Sequence, residues 1–310
     1  MNYVERHAIL ISEHKGNILS QNVVFNHYSA NQSPYRFSIK QMELQVLVST
    51  MNQADHDLPR KMKLNSNAII VNQCNETATY DEIYNGYEVH WYSFAERGVG
   101  LSRNNALMRA EGDIVLFADD DVTYVGNYNE IILQEFVRLP DADAIIFNII
   151  SSDQERPEFL NSHVHRLHFF NCLRYGAVRI AVRLEKLRKN NISFHLLFGG
   201  GALYGSGEDS IFLMDCLRYG LKIYASNQLI GTMNYRKSNW FHGYEDKYFH
   251  DKGALFTCIS NKWARLLCLQ YCLRHHKDFK PVPLFHAYRL MLQGMKEFRG
   301  TGSLPSKVSH

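Results

Sequence analysis

From Leu44 onward, short apolar runs alternate with stretches of helical periodicity. Leu44-Gln45-Val46-Leu47-Val48 is apolar at nearly every position and stops at Ser49-Thr50, as a strand buried on both faces does. Ala68-Ile69-Ile70-Val71 is a second such run, halted by Asn72-Gln73, and Glu88-Val89-His90-Trp91-Tyr92 reads as a third. Ser102 opens a predicted helix that runs through Arg109, with Ala106, Leu107 and Ala110 on one side and Gly112 closing it. Asp113–Ala118 has the strongest strand pattern in the chain and leads straight into Asp119-Asp120-Asp121. Asn127 can cap the next helix, in which Ile131, Ile132, Phe136 and Val137 recur at helical spacing; Pro140 ends it, and Ala144–Phe147 returns as a strand. Residues 178–182 then alternate as a strand, and Leu184–Lys189 is a short basic helix. A Gly-rich loop at 199–207 feeds a helix from Asp209 to Tyr219, ended by Gly220. Strands alternating with helices in this way predict an α/β fold with a mostly parallel sheet covered on both faces.

The flanks differ. Residues 1–41 are polar and rich in Asn, Ser and His, with only short apolar clusters such as Ala8–Ile11; they form an N-terminal extension to which no role is assigned. Met42 stands directly before the first convincing strand, which makes it an alternative translation start. Past the α/β region, Leu255, Ile259, Trp263, Leu266 and Leu273 make an amphipathic pattern over 254–275, interspersed with Lys262, Arg265 and Arg274. A second such pattern over 284–298 carries Phe285, Tyr288, Leu292 and Met295 with Arg289 and Lys296. The expected organisation is therefore an extension (1–41), a catalytic domain (42–253), a basic helical region (254–300) and a tail (301–310).

Composition changes this picture in one respect. The 310 residues are 45% hydrophobic and 21% charged, enough for a substantial core, and no apolar run reaches the ~18–20 residues of a membrane span. Met1–Glu5 carries no basic stretch followed by an apolar one, so export by a signal peptide is not expected. The six cysteines form no C-x-x-C pair and read as free buried thiols of a reducing, cytoplasmic protein. A net charge of +3 is too small to argue for nucleic acid. That total conceals an asymmetry: 25 basic against 29 acidic residues over 1–253, but eight against two over 254–299. The basic region reads either as helices lying on an anionic membrane surface or as helices packed on the domain with their cations in water.

The candidate chemistry is concentrated in two places. Three consecutive carboxylates at the carboxyl end of a buried strand repel one another unless a cation neutralises them, and ligands bind at that end of open α/β sheets. A divalent metal shared with substrate phosphates relieves the cost, whereas a solvated acidic turn ahead of the Asn127 helix is the bland alternative. The second place is Gly199–Asp209, where five glycines in nine residues permit close backbone approach and deliver Glu208 and Asp209 to a helix start. Taken alone those acids could merely decorate a first turn. His163, His165 and His168 lack a carboxylate at suitable spacing and are read as solvated or core residues rather than a metal cluster.

Arg97-Gly98-Val99-Gly100-Leu101-Ser102-Arg103-Asn104-Asn105-Ala106-Leu107, a strand ending in Asp119-Asp120-Asp121, and Gly207-Glu208-Asp209 occur in an order and spacing that resemble family 2 glycosyltransferases, over Leu44 to about Ala225. The resemblance implies the GT-A nucleotide-sugar-binding fold, a divalent metal (Mn²⁺ or Mg²⁺) and inverting, hexosyltransferase-type transfer, of the kind found in bacterial surface-polysaccharide synthesis. It implies Asp119 and Asp121 as the D-x-D pair, with Asp121 the direct metal ligand and Asp120 beside the donor. By the same resemblance Asp209 is the general base on the acceptor hydroxyl, and Glu208 orients the acceptor. Arg103 and Asn104 match the helix opening beside the nucleotide, either as contacts to it or as buttresses of the Asp loop. Ser49, Thr50 and Asn52 fall where the family has its nucleoside pocket. Asn72 and Gln73 stand where acidic residues usually recognise the base, which leaves UDP as the default donor on family grounds alone. Trp240 and His242 fall in a segment that closes over donor and acceptor in such enzymes, and Gly200 and Gly201 supply loop mobility nearby. The acceptor is expected to be a glycan or a lipid-linked saccharide. Two other functions compete: a haloacid-dehalogenase-type phosphotransferase using Asp119-x-Asp121-x-Thr123, and an inactive sugar-nucleotide-binding protein.

Overall fold

The computed structural model describes residues 42–152, 159–234, 243–279 and 282–301. The described residues all lie in the unit Gln41–His310. Its centre is a sheet built from β1 (Leu44–Met51), β2 (Asn67–Gln73), β3 (Ala78–Tyr84), β4 (Tyr87–Phe94), β5 (Ile114–Asp119), β6 (Val122–Tyr124), β7 (Ala144–Ser151), β8 (His165–Arg166), β9 (Ile180–Arg183) and β10 (Ile223–Met233). The order is β3-β4-β2-β1-β5-β9-β7-β10-β6, with β8 added beside β10. Strands β4, β2, β1 and β5 run parallel, as do β7 and β10. Antiparallel β9 sits between these blocks and joins them through β5 and β7.

Side-chain alternation along the strands sends two cores to opposite faces. Leu47, Val115, Phe117 and Ile146 point to one face, where α2 (Val99–Arg109), α5 (Glu208–Arg218), α6 (Asp246–Ile259), α7 (Ala264–His275) and α8 (Leu284–Gly300) contribute. Val46, Val48, Leu116, Ala118 and Ile145 point to the other, under α1 (Leu58–Met62) and α3 (Tyr128–Arg138). A short α4 (Leu184–Lys189) follows β9. This two-sided burial is what the near-continuous apolar runs demand.

The C-terminal helices complete the first of these cores. Leu255, Ile259, Met291, Met295 and Phe298 are all buried in it. α6 and α8 cross at glycines: a Cβ on Gly253 would lie 1.9 Å from the Met291 carbonyl oxygen, and one on Gly294 1.9 Å from that of His250. The 253/254 division falls inside α6. No described helix is long and apolar enough to cross a membrane.

Candidate active site

The polar residues that stop the apolar runs emerge along one edge of the sheet. Register sets Ser49 beside Asp119, Thr50 beside Asn72 and Met51 beside Gln73, all at the carboxyl ends of parallel strands. Asn52 adopts the left-handed conformation (φ 53°), and the turn brings Gln53 back over the edge. Gln53 Nε2 donates to Asp120 Oδ2 (3.0 Å) and Thr50 Oγ1 (2.8 Å), while Thr50 Oγ1 donates to the same Asp120 oxygen at 2.6 Å. The Asn72 amide holds the Gln53 backbone at both ends: Oδ1 accepts its N–H (3.0 Å) and Nδ2 donates to its carbonyl (3.2 Å). Gln73 Oε1 accepts the Gly98 N–H at 2.7 Å, and Ser102 Oγ donates to Ser49 Oγ at 3.1 Å. These side chains thus join the strand ends to the start of α2.

Arg103 ties that edge to the second candidate region. Its side chain is only 3% exposed, and one guanidinium faces three carboxylates. Nη1 donates to Glu208 Oε1 (3.1 Å) and Asp209 Oδ1 (2.8 Å), and Nη2 donates to Asp119 Oδ1 (3.1 Å) and Oδ2 (3.3 Å). The guanidinium stacks 5.2 Å from the Phe194 ring centroid. Asn104 grips the Phe194 backbone twice, donating to its carbonyl and accepting its N–H, both at 2.8 Å. In this arrangement Asn104 supports the aromatic face on which Arg103 rests.

Glu208 and Asp209 open α5 after a loop that needs its glycines. Gly199 (φ 105°) leaves no room for a Cβ, which would stand 2.6 Å from Val99 Cγ1 and 2.8 Å from Glu208 Cδ. Gly201 lies against the Gly98 backbone, and Gly200 accepts the Val99 N–H at 2.9 Å, so this turn and the start of α2 pack back to back. Behind Asp209 runs the segment Tyr175–Ala177. The Tyr175 hydroxyl donates to Asn161 Oδ1 (2.7 Å), Gly176 borders Asp209 Oδ2, and the Ala177 backbone hydrogen-bonds the Asp209 carboxylate.

The electrostatics follow from this crowding. Burial, and then the Glu208 charge, push the Asp209 carboxyl up to about 6, against the opposing pull of Arg103. Burial also raises Asp119, with Arg103 working in the opposite direction. Arg103 stays charged: the three carboxylates outweigh its burial and raise its pKa. One cation against three carboxylates leaves the site negative, with Asp120 and Asp121 adding to it.

The model of the family described as Glycosyl transferase family 2 matches residues 44–203, just over half of the chain. The chain belongs to glycosyl transferase family 2. S. aureus TarS 1–349 in complex with UDP-GlcNAc superposes with a TM-score of 0.58 at 15% identity, over 83% of this chain and 80% of that one. The same TarS fragment with UDP gives 0.55 at 16%, over 86% and 85%; a longer TarS structure gives 0.54 at 15%, over 76% of this chain and 43% of that one. No curated protein matches the chain. The structural likeness identifies the fold as GT-A, a mixed α/β architecture with a large central sheet flanked by helices. The matched span includes Asp119–Asp121 and stops short of Glu208 and Asp209.

Family 2 glycosyl transferases commonly use a divalent cation, and the donor set here is chemically suited to one: carboxylate oxygens on a negative loop fit Mn²⁺ or Mg²⁺. Among the described residues no three His, Cys, Asp or Glu side chains gather as ligands, and Asp119 gives both oxygens to Arg103. Such a site fits a cation held by one or two carboxylates, with diphosphate oxygens and water supplying the rest. His163 and His165 have ring centroids 5.3 Å apart and belong to no such cluster. Trp240 and His242 lie outside the described residues.

Two participants had no strong sequence signal. Gln53 is an unremarked amide until the Asn52 turn folds it onto Asp120. Lys252, on α6, faces Glu208 and Asp251 electrostatically and stands 5.4 and 5.8 Å from the ring centroids of Tyr248 and Tyr271; burial lowers its pKa. Its helical position beside Asp251 reads as a surface charge in sequence.

Proposed function

We propose that the chain transfers a sugar from a UDP-linked donor to a hydroxyl of a glycan or lipid-linked acceptor with inversion, from the cytoplasmic side and in peripheral contact with an anionic membrane, in surface-polysaccharide assembly. The observation that carries the reading is the Arg103 bridge, which joins the strand-end carboxylate Asp119 to Glu208 and Asp209 at the helix start. Asp209 accepts the proton of the acceptor hydroxyl; that oxygen forms the new bond at the anomeric carbon as the bond to the nucleotide diphosphate breaks with its electron pair. Glu208 orients the acceptor, and the strand-end residues Ser49, Thr50 and Asn52 border the nucleoside. Asp121, with Asp119 adjoining, would hold a divalent cation, whose charge would offset the negative charge that builds on the departing diphosphate. UDP as donor is supported by the fold shared with TarS, which was solved with UDP-GlcNAc and with UDP.

The phosphotransferase reading loses support at Asp119, whose two oxygens are committed to Arg103, and it leaves the Glu208–Asp209 element without a task. A panel of nucleotide diphosphates and nucleotide sugars, with and without Mn²⁺, tests the proposal by thermal shift. A Mn²⁺-dependent rise in Tm with UDP or a UDP-sugar is expected, and Asp121→Ala should weaken it. If no nucleotide stabilises the protein, the donor reading fails.

A further inference from the structure

Helix α7 leaves three leucines and a tryptophan on the side away from the protein. The face turned inward buries Ala264, Cys268 and Cys272, spaced four apart, with Leu267 and Tyr271 partly buried beside them; Cys268 meets Met295 Sδ at 3.6 Å and Cys272 meets Met291 Sδ at 3.7 Å on α8. The face turned outward presents Leu266 (55% exposed), Leu269 (37%) and Leu273 (57%), with Trp263 (54%) at the helix start. A surface helix in water ordinarily keeps so continuous an apolar ridge turned toward the core. Lys262, Arg265, Arg274 and Lys277 are exposed along the same helix and its ends, and no acidic residue occurs between Asn261 and Lys277.

We propose that this outward ridge of α7 is a docking surface for an anionic lipid bilayer, the leucines and Trp263 entering the headgroup–acyl boundary while the cations meet lipid phosphates. The reading deepens the membrane contact proposed above and names its surface; it does not depend on the transferase chemistry. Charge complementarity selects the occupant. A second copy laid ridge to ridge would set Arg265 and Arg274 against their own counterparts with no acids to answer them, whereas an anionic leaflet supplies the missing negative charge. A tryptophan at the end of an apolar stripe, flanked by basic side chains, suits the interfacial position of a helix lying in the membrane plane. Most other apolar side chains of the C-terminal region are committed to packing: Leu255, Ile259, Met295 and Phe298 are buried in the core, and among the described residues only Leu284 and Phe285 at the start of α8 are exposed as the α7 ridge is.

The test uses the full chain and flotation with phosphatidylcholine vesicles, with and without phosphatidylglycerol. Binding to the phosphatidylglycerol vesicles is expected, together with its loss in 0.5 M salt, on the order of the screening that shortens electrostatic reach to a few ångströms. Leu266→Ser/Leu273→Ser and Arg265→Gln/Arg274→Gln should each lower partitioning roughly tenfold or more, from lost apolar insertion and lost headgroup attraction. Circular dichroism, Tm and the UDP-induced shift should stay unchanged in both variants, since these side chains are exposed. The proposal is overturned if the chain ignores anionic vesicles, if it binds neutral ones equally well, or if both double variants bind undiminished. It is equally overturned if sedimentation shows a dimer that the leucine substitutions dissolve. The UDP-induced shift is measured without vesicles, so failure of the donor reading would be distinguished from failure of this one.

Discussion

Asp209 holds its proton up to about pH 6 because it is buried beside Glu208, while Arg103 and the Ala177 backbone hydrogen bond keep it from rising further. In the proposed role of general base it works ionised, so kcat/KM is expected to climb as pH rises through about 6 and then level. Arg103→Gln removes the compensating cation and should move that limb upward, with a fall in kcat/KM of roughly 100-fold from misplaced carboxylates. Arg103→Lys keeps the charge but not the fork, and should restore the limb better than the rate. The same shift has a stability consequence of defined sign. An acid whose folded pKa exceeds its unfolded value of ~3.9 favours the fold most when protonated, and that contribution is lost as pH rises through about 6. Asp209→Asn is therefore expected to hold or raise Tm at pH 7–8 while lowering transfer ~10²–10⁴-fold, the usual worth of a general base. A Tm that drops by many degrees would mean the carboxylate serves the fold rather than the reaction.

Elements whose patterns are set by burial on both faces were legible in the sequence. β1, β2, β5 and β7 stand where continuous apolar runs predict them, and α4 has the bounds its pattern predicts. Elements set by partners distant in sequence were not. β3 is a largely exposed edge strand of mixed character, and its signal is the Asn85-Gly86 turn at positive φ that folds it back on β4. β9 alternates as expected, but nothing local says that it runs antiparallel between β5 and β7. α2 begins at Val99, ahead of Ser102, because Gly98 gives its N–H to Gln73. The amphipathic stretch over 254–275 proves to be the end of α6 and the whole of α7, interrupted by extended Ser260. The crossing of α6 with α8 yields a prediction of its own. Gly253→Ala drives a Cβ into the Met291 carbonyl and should destabilise the chain by about 1–3 kcal/mol in urea unfolding. Activity should fall as well, because α6 carries Asp251, which accepts the Gly205 N–H at 2.9 Å, and Leu255, which packs on Gly207. Gly300→Ala, with nothing near its added methyl, is the matched control and should change neither measurement.

At the scale of the molecule, a near-neutral charge is the sum of an acidic catalytic body and a basic end. The negative body collects carboxylates around one arginine at a sheet edge, and the positive end places its cations beside an outward apolar ridge. The candidate site was legible as residue types, an acid cluster and a Gly-Glu-Asp turn, but the bridge between them was not. Arg103 lies 16 residues from Asp119 and 106 from Asp209, and only the fold, with α2 packed over β1 and β2, brings one guanidinium to all three acids. The start of this unit supports a last prediction. Met42 Sδ accepts from Arg183 at 3.7 Å, the Glu43 N–H donates to Asp113 Oδ2 at 3.0 Å, and the Glu43 carbonyl accepts the Ile114 N–H at 3.0 Å. The chain is thus fastened to β5 and β9 from Met42 onward, as a compact unit beginning at Gln41 requires. A chain starting at Met42 should melt within ~2–4 °C of the full one, a difference worth about 1 kcal/mol at this size, and should keep its UDP-induced shift. A larger drop, or loss of the shift, would assign the first 41 residues to the catalytic fold and make the boundary before β1 an internal one.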